Sequence, residues 1–471
     1  MSKTDTRTVV KAGVWYTIVN FISKGAIFLT TPIFTRLMST NDIGGFANIT
    51  SWFQILVPLI TFDMYVSLSI ARFDYKDELD TYISSTLICG SVFTGIAYGI
   101  VLLNMKFFCT FFSMNEYAVH VIFIYMLVYP ALQMLQQKNL FLYKYKLSAL
   151  VTLLSLVLSV GCALILTVSY KDKLLGRTIG YFVPLIIINA VIYLYFLAKG
   201  NGFSLKYIKY AVSISFPMIW HAMATQVLSA GDRIVITNRI GEEANAMYSV
   251  AYTCSMVVTV LWSSMNSAWS PWTIERMNAG NTEEIKKASH PYILFFAVIV
   301  VFMMLISPEL LWIMGGNSYM EAKDCLPPVM VGLVCQFVYS LYINAEFYLK
   351  KQNRIAIGTV IAAVINILLN LVFVQRYGYV AAAYTTLIGY ILLLLFHYLS
   401  LKKLGKGDWY DNYFNWLIVL VFILLIPLFL FLYRYTVLRY VVILLVVILI
   451  SVVGYSKRIM LIGIIKSIIH K

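Results

Sequence analysis

KAGVWYTIVNFISKGAIFLTTPIFTRLMSTNDIGGF, residues Lys11 to Phe46, is an apolar run with a lysine set in its middle. At a helical rise of about 1.5 Å per residue, the interval from Lys11 to Lys24 carries that amine roughly 20 Å along the axis. A bilayer core is about 30 Å thick, so Lys24 sits near its centre. On a helical wheel Gly13, Thr17, Asn20, Lys24, Thr31 and Thr35 share one face, while Trp15, Ile22 and Leu29 point the other way. Burying an ammonium in a spanning helix costs about 2.5 to 3.5 kcal/mol on insertion scales, so it faces a bundle interior or a wet cavity. Lys24 is therefore a candidate functional cation. A structural ion pair between helices is the other reading.

Composition sets the class. With 61% hydrophobic and 12% charged residues and a mean hydropathy of +0.82, 471 residues do not make a soluble globule. Apolar runs of about 20 residues between charged breaks give fourteen candidate spans, from residue 12 to residue 456. The expected fold is an all-α polytopic membrane protein. The first run is too long for the apolar part of a cleavable signal, and no small-residue cleavage site follows it.

The formal net charge of +15 is distributed unevenly. The N-terminus, the loops after even-numbered spans and the C-terminus hold 24 of the 36 Lys and Arg residues; the loops after odd-numbered spans hold 10; Lys24 and Arg233 lie inside spans. Such asymmetry places both termini in the cytoplasm. The cations form no soluble face with stacking aromatics, so nucleic-acid binding is not expected. The six cysteines are scattered without a CxxC pair and read as small hydrophobes.

Further polar residues fall at membrane depth. Asp63, in an expected second span over 43–70, lies about 13 Å of helix from Arg72 and is the natural partner for Lys24. Span seven carries Asp232 and Arg233, which satisfy each other or groups on neighbouring helices, or serve a ligand, with His221 near the same face and Pro217 able to kink the helix. Arg233 suits phosphate oxygens because a guanidinium binds them in bidentate fashion. Asp63, Asp232 and His221 are candidates for coupling to a proton or sodium gradient, or for ion pairs. In span eight Asn266 lies between Trp262 and Trp269, and with Asn20 these suit either a sugar or close helix packing. Glu346, near Lys350 and Lys351, reads as interfacial. Arg36 and Arg239 cap spans one and seven as anchors or as further anion contacts.

The second half echoes the first. Pro32–Ser51 matches Ile234–Thr253, with Arg36 against Arg239, and Leu140–Ser159 matches Glu346–Ile365 in the same order, roughly 200 residues on. An even number of spans per copy makes the repeat parallel, with a path between the halves. The expected organisation is a six-helix bundle over 1–200, a second over 201–404 and a terminal helix pair over 405–471. KGNGFSLKYIKYA, Lys199 to Ala211, is the linker. No P-loop, HExxH or EF-hand pattern occurs, so neither ATP hydrolysis, a metal nor any other cofactor is expected.

The opening segment, with SIARFDYKD (Ser69 to Asp77), resembles the start of bacterial polysaccharide and O-antigen flippases. These are the Wzx-type members of the multidrug/oligosaccharidyl-lipid/polysaccharide (MOP) exporter superfamily. The resemblance implies a transporter, not an enzyme, in the cytoplasmic membrane. It implies movement of an undecaprenyl-pyrophosphate-linked oligosaccharide to the outer leaflet for O-antigen, capsule or exopolysaccharide, with a polysaccharide polymerase as partner. A cationic central cavity is implied too, which Lys24 and Arg233 fit. A drug/cation antiporter of the MATE type and a membrane glycan polymerase are the alternatives.

Overall fold

The computed structural model describes residues 21–22, 25–142, 144–200 and 202–456. Every regular element among them is helical. Residues 25–37 form α1. The first half continues with α2 (Thr40–Thr61), α3 (Leu68–Asp74), α4 (Leu79–Leu103), α5 (Met105–Phe112), α6 (Glu116–Phe141), α7 (Tyr145–Ser169) and α8 (Lys173–Lys199). The rest comprises α9 (Leu205–Arg239), α10 (Glu242–Asn278), α11 (Thr282–Gly315), α12 (Leu326–Tyr348), α13 (Gln352–Tyr377), α14 (Val380–Lys403), α15 (Asn412–Leu432) and α16 (Thr436–Ser456).

Local chemistry sets several of these boundaries. Ser39 ends α1 and starts α2 by a capping box: its hydroxyl accepts from Asp42 N at 3.1 Å, and Asp42 Oδ2 accepts from Ser39 N at 3.3 Å. Asp172 and Asp411 cap α8 and α15 by accepting from Leu175 N at 2.9 Å and Phe414 N at 3.1 Å.

Eleven helices among the described residues are long and apolar enough to cross a membrane. A twelfth is α9, which bends by 47° between Leu205–Phe216 and Met218–Arg239. The break falls at Pro217, which has no N–H to give to the helical ladder. The expected first span runs into residues outside the described set, and its described part, 25–37, is helical; the expected last span, 438–456, falls within the helix Thr436–Ser456. Large apolar side chains such as Leu103 (88% exposed) and Val437 (79%) face outward, as hydrocarbon solvent permits when the backbone bonds internally.

The second expected span is shorter than the sequence suggested. α2 ends at Thr61, followed by Phe62 and Asp63 with φ of 57° and 40° and a 3-10 turn over Met64–Ser67. Asp63 therefore lies at a helix break, and the path from it to Arg72 runs through a 3-10 turn before α3 begins at Leu68.

Packing brings the front of the chain onto its middle. α2 lies against α9 and α10, α7 and α6 pair with α8, α13 runs along α9, and α14 joins α12 and α13. Phe34, Met38 and Ile43 belong to the large apolar core that extends through α10, α11, α12 and α15. Two smaller cores lie within residues 46–211, one around Phe123 and Phe182, the other around Leu68 and Tyr82.

Candidate functional site: a buried carboxylate and a joined helix end

Asp232, 1% exposed, is the hub of a hydrogen-bond network linking four helices. Tyr248 of α10 and Thr386 of α14 donate to its Oδ2 at 2.6 and 2.5 Å, and Asn370 of α13 donates to Oδ1 at 2.6 Å. A second tier holds these donors. Thr385 donates to Asn370 Oδ1 at 2.6 Å, and Asn366 sits one turn before Asn370 and donates to Thr386 Oγ1 at 3.2 Å. Hydrogen bonds to a charged group are worth about 1.5 to 3 kcal/mol each, so the three donors offset part of the cost of burying this side chain.

Arg233 does not pair with Asp232. Its guanidinium lies 4.9 Å over the Tyr252 ring and donates to Ser229 O at 3.4 Å. Of the two readings open for this neighbouring pair, mutual satisfaction gives way to separate environments, because adjacent residues on a helix project about 100° apart. Three turns earlier on α9, His221 is half-buried, with its Nδ1 unpartnered.

The polar line on α10 serves helix packing. Trp262 Nε1 donates to Ser340 Oγ of α12 at 3.3 Å, Asn266 Oδ1 accepts from Asn344 of α12 at 3.0 Å, and Trp269 stacks on Tyr292 of α11 at 4.1 Å. Glu346 is not interfacial. It is fully buried and lies 2.8 Å from His397 Nδ1, which is fully buried too. The α12–α14 contact outweighs the pull of nearby Lys350 and Lys351, although Glu346 lies in the last turn of α12.

One end of the molecule is joined between early and late helices. Thr35 Oγ1 donates to Met314 O at 2.5 Å, Arg36 donates to Ile313 O at 3.1 Å, and Asn245 Nδ2 donates to Gly44 O at 2.9 Å. Ser113 and Asn238 share a further hydrogen bond. A Cβ on Gly44 would stand 1.7 Å from Glu242 O, so the approach of α2 to α10 requires glycine there. Arg36 and Arg239 are exposed at this end, the latter within 3.5 Å of Gln375 Oε1.

Close by is a cation that sequence reading counted among the loops. The Arg177 guanidinium is sandwiched 4.0 Å from the rings of both Phe34 and Phe46, with Met38 Sδ at 3.8 Å. Its only sequence signal is its place one turn inside an apolar helix. Lys24 and Asn20 lie outside the described residues. No group of three or more His, Cys, Asp or Glu able to hold a metal occurs among the described residues.

The sequence matches the family described as polysaccharide biosynthesis protein over residues 9–277, and the MatE family over 217–374. No curated protein matches it. Among solved structures the fold is similar to the lipid II flippase MurJ in an inward closed conformation. The TM-score there is 0.72 at 14% identity, covering 95% of this chain and 100% of that one. It is similar also to an inward-facing multidrug resistance MATE family transporter of the MOP superfamily (TM-score 0.63, 15% identity, 84% and 99% covered). For an outward-facing conformation of such a transporter the TM-score is 0.54, at 14% identity with 85% and 96% covered.

Proposed function

This chain belongs to the polysaccharide biosynthesis protein family, and from that premise we propose that it flips undecaprenyl-pyrophosphate-linked oligosaccharide repeat units across the cytoplasmic membrane for surface polysaccharide assembly. The observation that carries the mechanism is the joined end. Early helices meet late ones there through Thr35, Gly44 and Asn245. With the basic loops in the cytoplasm, that end is the outer face. The outer end is then the closed one, and alternating access requires the inner end to part to receive a substrate made in the cytoplasm.

Residues 1–200 and 201–404 act as two bundles that rock about the path between them, with 405–471 as an accessory pair. A lipid pyrophosphate carries about two negative charges, and moving such a group through bare hydrocarbon costs far more than burying one cation. Lys24 and Arg233 meet the phosphates at depth, and Arg36 and Arg239 stand at the outer exit. Asp232, held by donors from three neighbouring helices, is the coupling carboxylate for a proton or a monovalent cation, with His221 three turns earlier on the same helix. The polyprenyl tail stays in lipid, and a polymerase receives the product.

The MatE match over 217–374 favours a drug/cation antiporter as the second reading, and the positive charges at depth oppose it. One experiment separates them. In cells lacking this chain, repeat units accumulate on the inner leaflet and surface glycan is lost; wild type restores export and Lys24→Ala does not. Restored resistance to cationic drugs, with no change in glycan export, would instead establish the antiporter.

A further inference from the structure

SIARFDYKD, Ser69 to Asp77, carries charges that the transport path does not use. The Arg72 guanidinium lies 4.0 Å over the ring of Phe141, the last residue of α6, and 4.3 Å over that of Phe73. Phe141 packs on the core around Leu68 and Tyr82, which fixes this platform. The one hydrogen bond of Arg72 among the described residues runs from Nε to Ser69 O at 3.2 Å, so both terminal nitrogens are left to a ligand or to water. Three residues past Phe141, at most about 11 Å of chain, comes Lys144. Its N donates to Asn139 O at 2.8 Å and folds the turn back before α7 starts. Lys144, Tyr145, Lys146 and Leu147 line a crevice of about 300 Å³ there.

Charge is segregated around this turn. Asp74 accepts from Tyr210 and Glu78 from Tyr207 at the start of α9, and Asp80 pairs with Lys138. Three acids of the same segment are thus taken up elsewhere, whereas Arg72, Lys144 and Lys146 form no ion pair among the described residues. Like charges spaced by about a Debye length of 10 Å add their fields. Ile70 and Phe73 are exposed beside Arg72, and Leu142, Leu147 and Leu150 beside the lysines. With the basic loops in the cytoplasm, these cations border an apolar flank where α6 and α7 leave the membrane. A phosphate free in water would meet the charges and leave the apolar surface bare. A phosphate carried on acyl chains meets both.

We propose that Arg72, Lys144 and Lys146 form a site for the phosphate of an anionic phospholipid of the cytoplasmic leaflet, with its acyl chains along Leu147 and Leu150. The planar Arg72 fork, held by its aromatic platform, meets two phosphate oxygens, and the lysines act as point charges. The site is separate from Lys24 and Arg233, and it stands whether or not the cargo is a lipid-linked glycan.

Native mass spectrometry of the full-length protein in detergent, titrated with phosphatidylglycerol or with phosphatidylcholine, reads the site directly. Phosphatidylglycerol should bind the more tightly. A surface cation is worth about fivefold in such binding, so Arg72→Gln, Lys144→Gln and Lys146→Gln should each weaken phosphatidylglycerol by about that factor, and the triple variant should bind both lipids alike. Lys402→Gln with Lys403→Gln, exposed at the end of α14, should leave the preference intact. An equal loss from the α14 pair would reduce the effect to net charge and overturn the site. Displacement of the lipid by millimolar glycerol 1-phosphate, which carries the phosphate without the chains, would overturn it too. Neither outcome bears on glycan export, so the proposed function stands or falls separately.

Discussion

Glu346 and His397 illustrate what a single residue contributes once its surroundings are known. Both are fully buried at 2.8 Å, and the far atoms Glu346 Oε1 and His397 Nε2 have no partner. Removing one member strands the other, and breaking such a buried pair costs about 3 to 5 kcal/mol, whereas replacing both removes the desolvation penalty together with the attraction. His397→Leu and Glu346→Leu should each lower the melting temperature of the purified protein strongly. The double variant should fall by clearly less than the sum, and a double-mutant cycle measures the difference. Additive losses would show that the two side chains do not interact. The sequence showed that Glu346 stood next to Lys350 and Lys351, but not that α14 would cover it, because a partner 51 residues away leaves no local pattern. Arg177 escaped for a related reason. Its two partners, Phe34 and Phe46, are ordinary apolar residues until the fold stacks them on a guanidinium.

At the scale of elements, hydropathy carried most of the information. Helix existence follows from runs of about 20 apolar residues, and the bend of α9 follows from Pro217. The break at Phe62–Asp63 was not legible, because neither residue is a glycine or proline and PLITFDMYVSLSI reads as unbroken helix. Left-handed residues without glycine are where local sequence and tertiary demand disagree. Lys350 is the clean case: exposed, φ 57°, and just past the end of α12, where Lys351 N bonds back to Glu346 O at 2.9 Å. That is the position helices give to glycine. Lys350→Gly should raise stability by about 1 kcal/mol, seen as a higher melting temperature with unchanged helicity. A lower melting temperature would mean that the lysine side chain contributes more than its backbone strain costs. A β-branched residue at the same place, Lys350→Val, should lower it.

For the whole molecule the decisive contact is between α2 and α10, because it joins an early helix to a late one at the proposed outer end; at the other end it is the start of α9 that meets the first half, Tyr207 donating to Glu78 Oε2 at 2.5 Å and Tyr210 to Asp74. Glycine at 44 permits it, and Thr40 Oγ1 and Glu243 Oε1 lie 3.5 Å apart beside it. The sequence did contain both partners, as the matched segments Pro32–Ser51 and Ile234–Thr253. What it lacked was their contact: a repeat says that two stretches are alike, and only the fold places one against the other. Gly44→Leu should oppose the joined state, since overpacking a close contact costs about 1 to 3 kcal/mol. In a chain whose native cysteines are replaced, Thr40→Cys with Glu243→Cys should cross-link readily under oxidation, and adding Gly44→Leu should cut the yield several-fold. Alternating access makes the cross-link functional as well as structural. A chain locked at this end cannot open outward, so oxidation should stop glycan export and reduction should restore it within the same cells. Full export by a completely cross-linked chain would show that substrate does not leave between these helices, and the rocking of two bundles about this end would have to be given up.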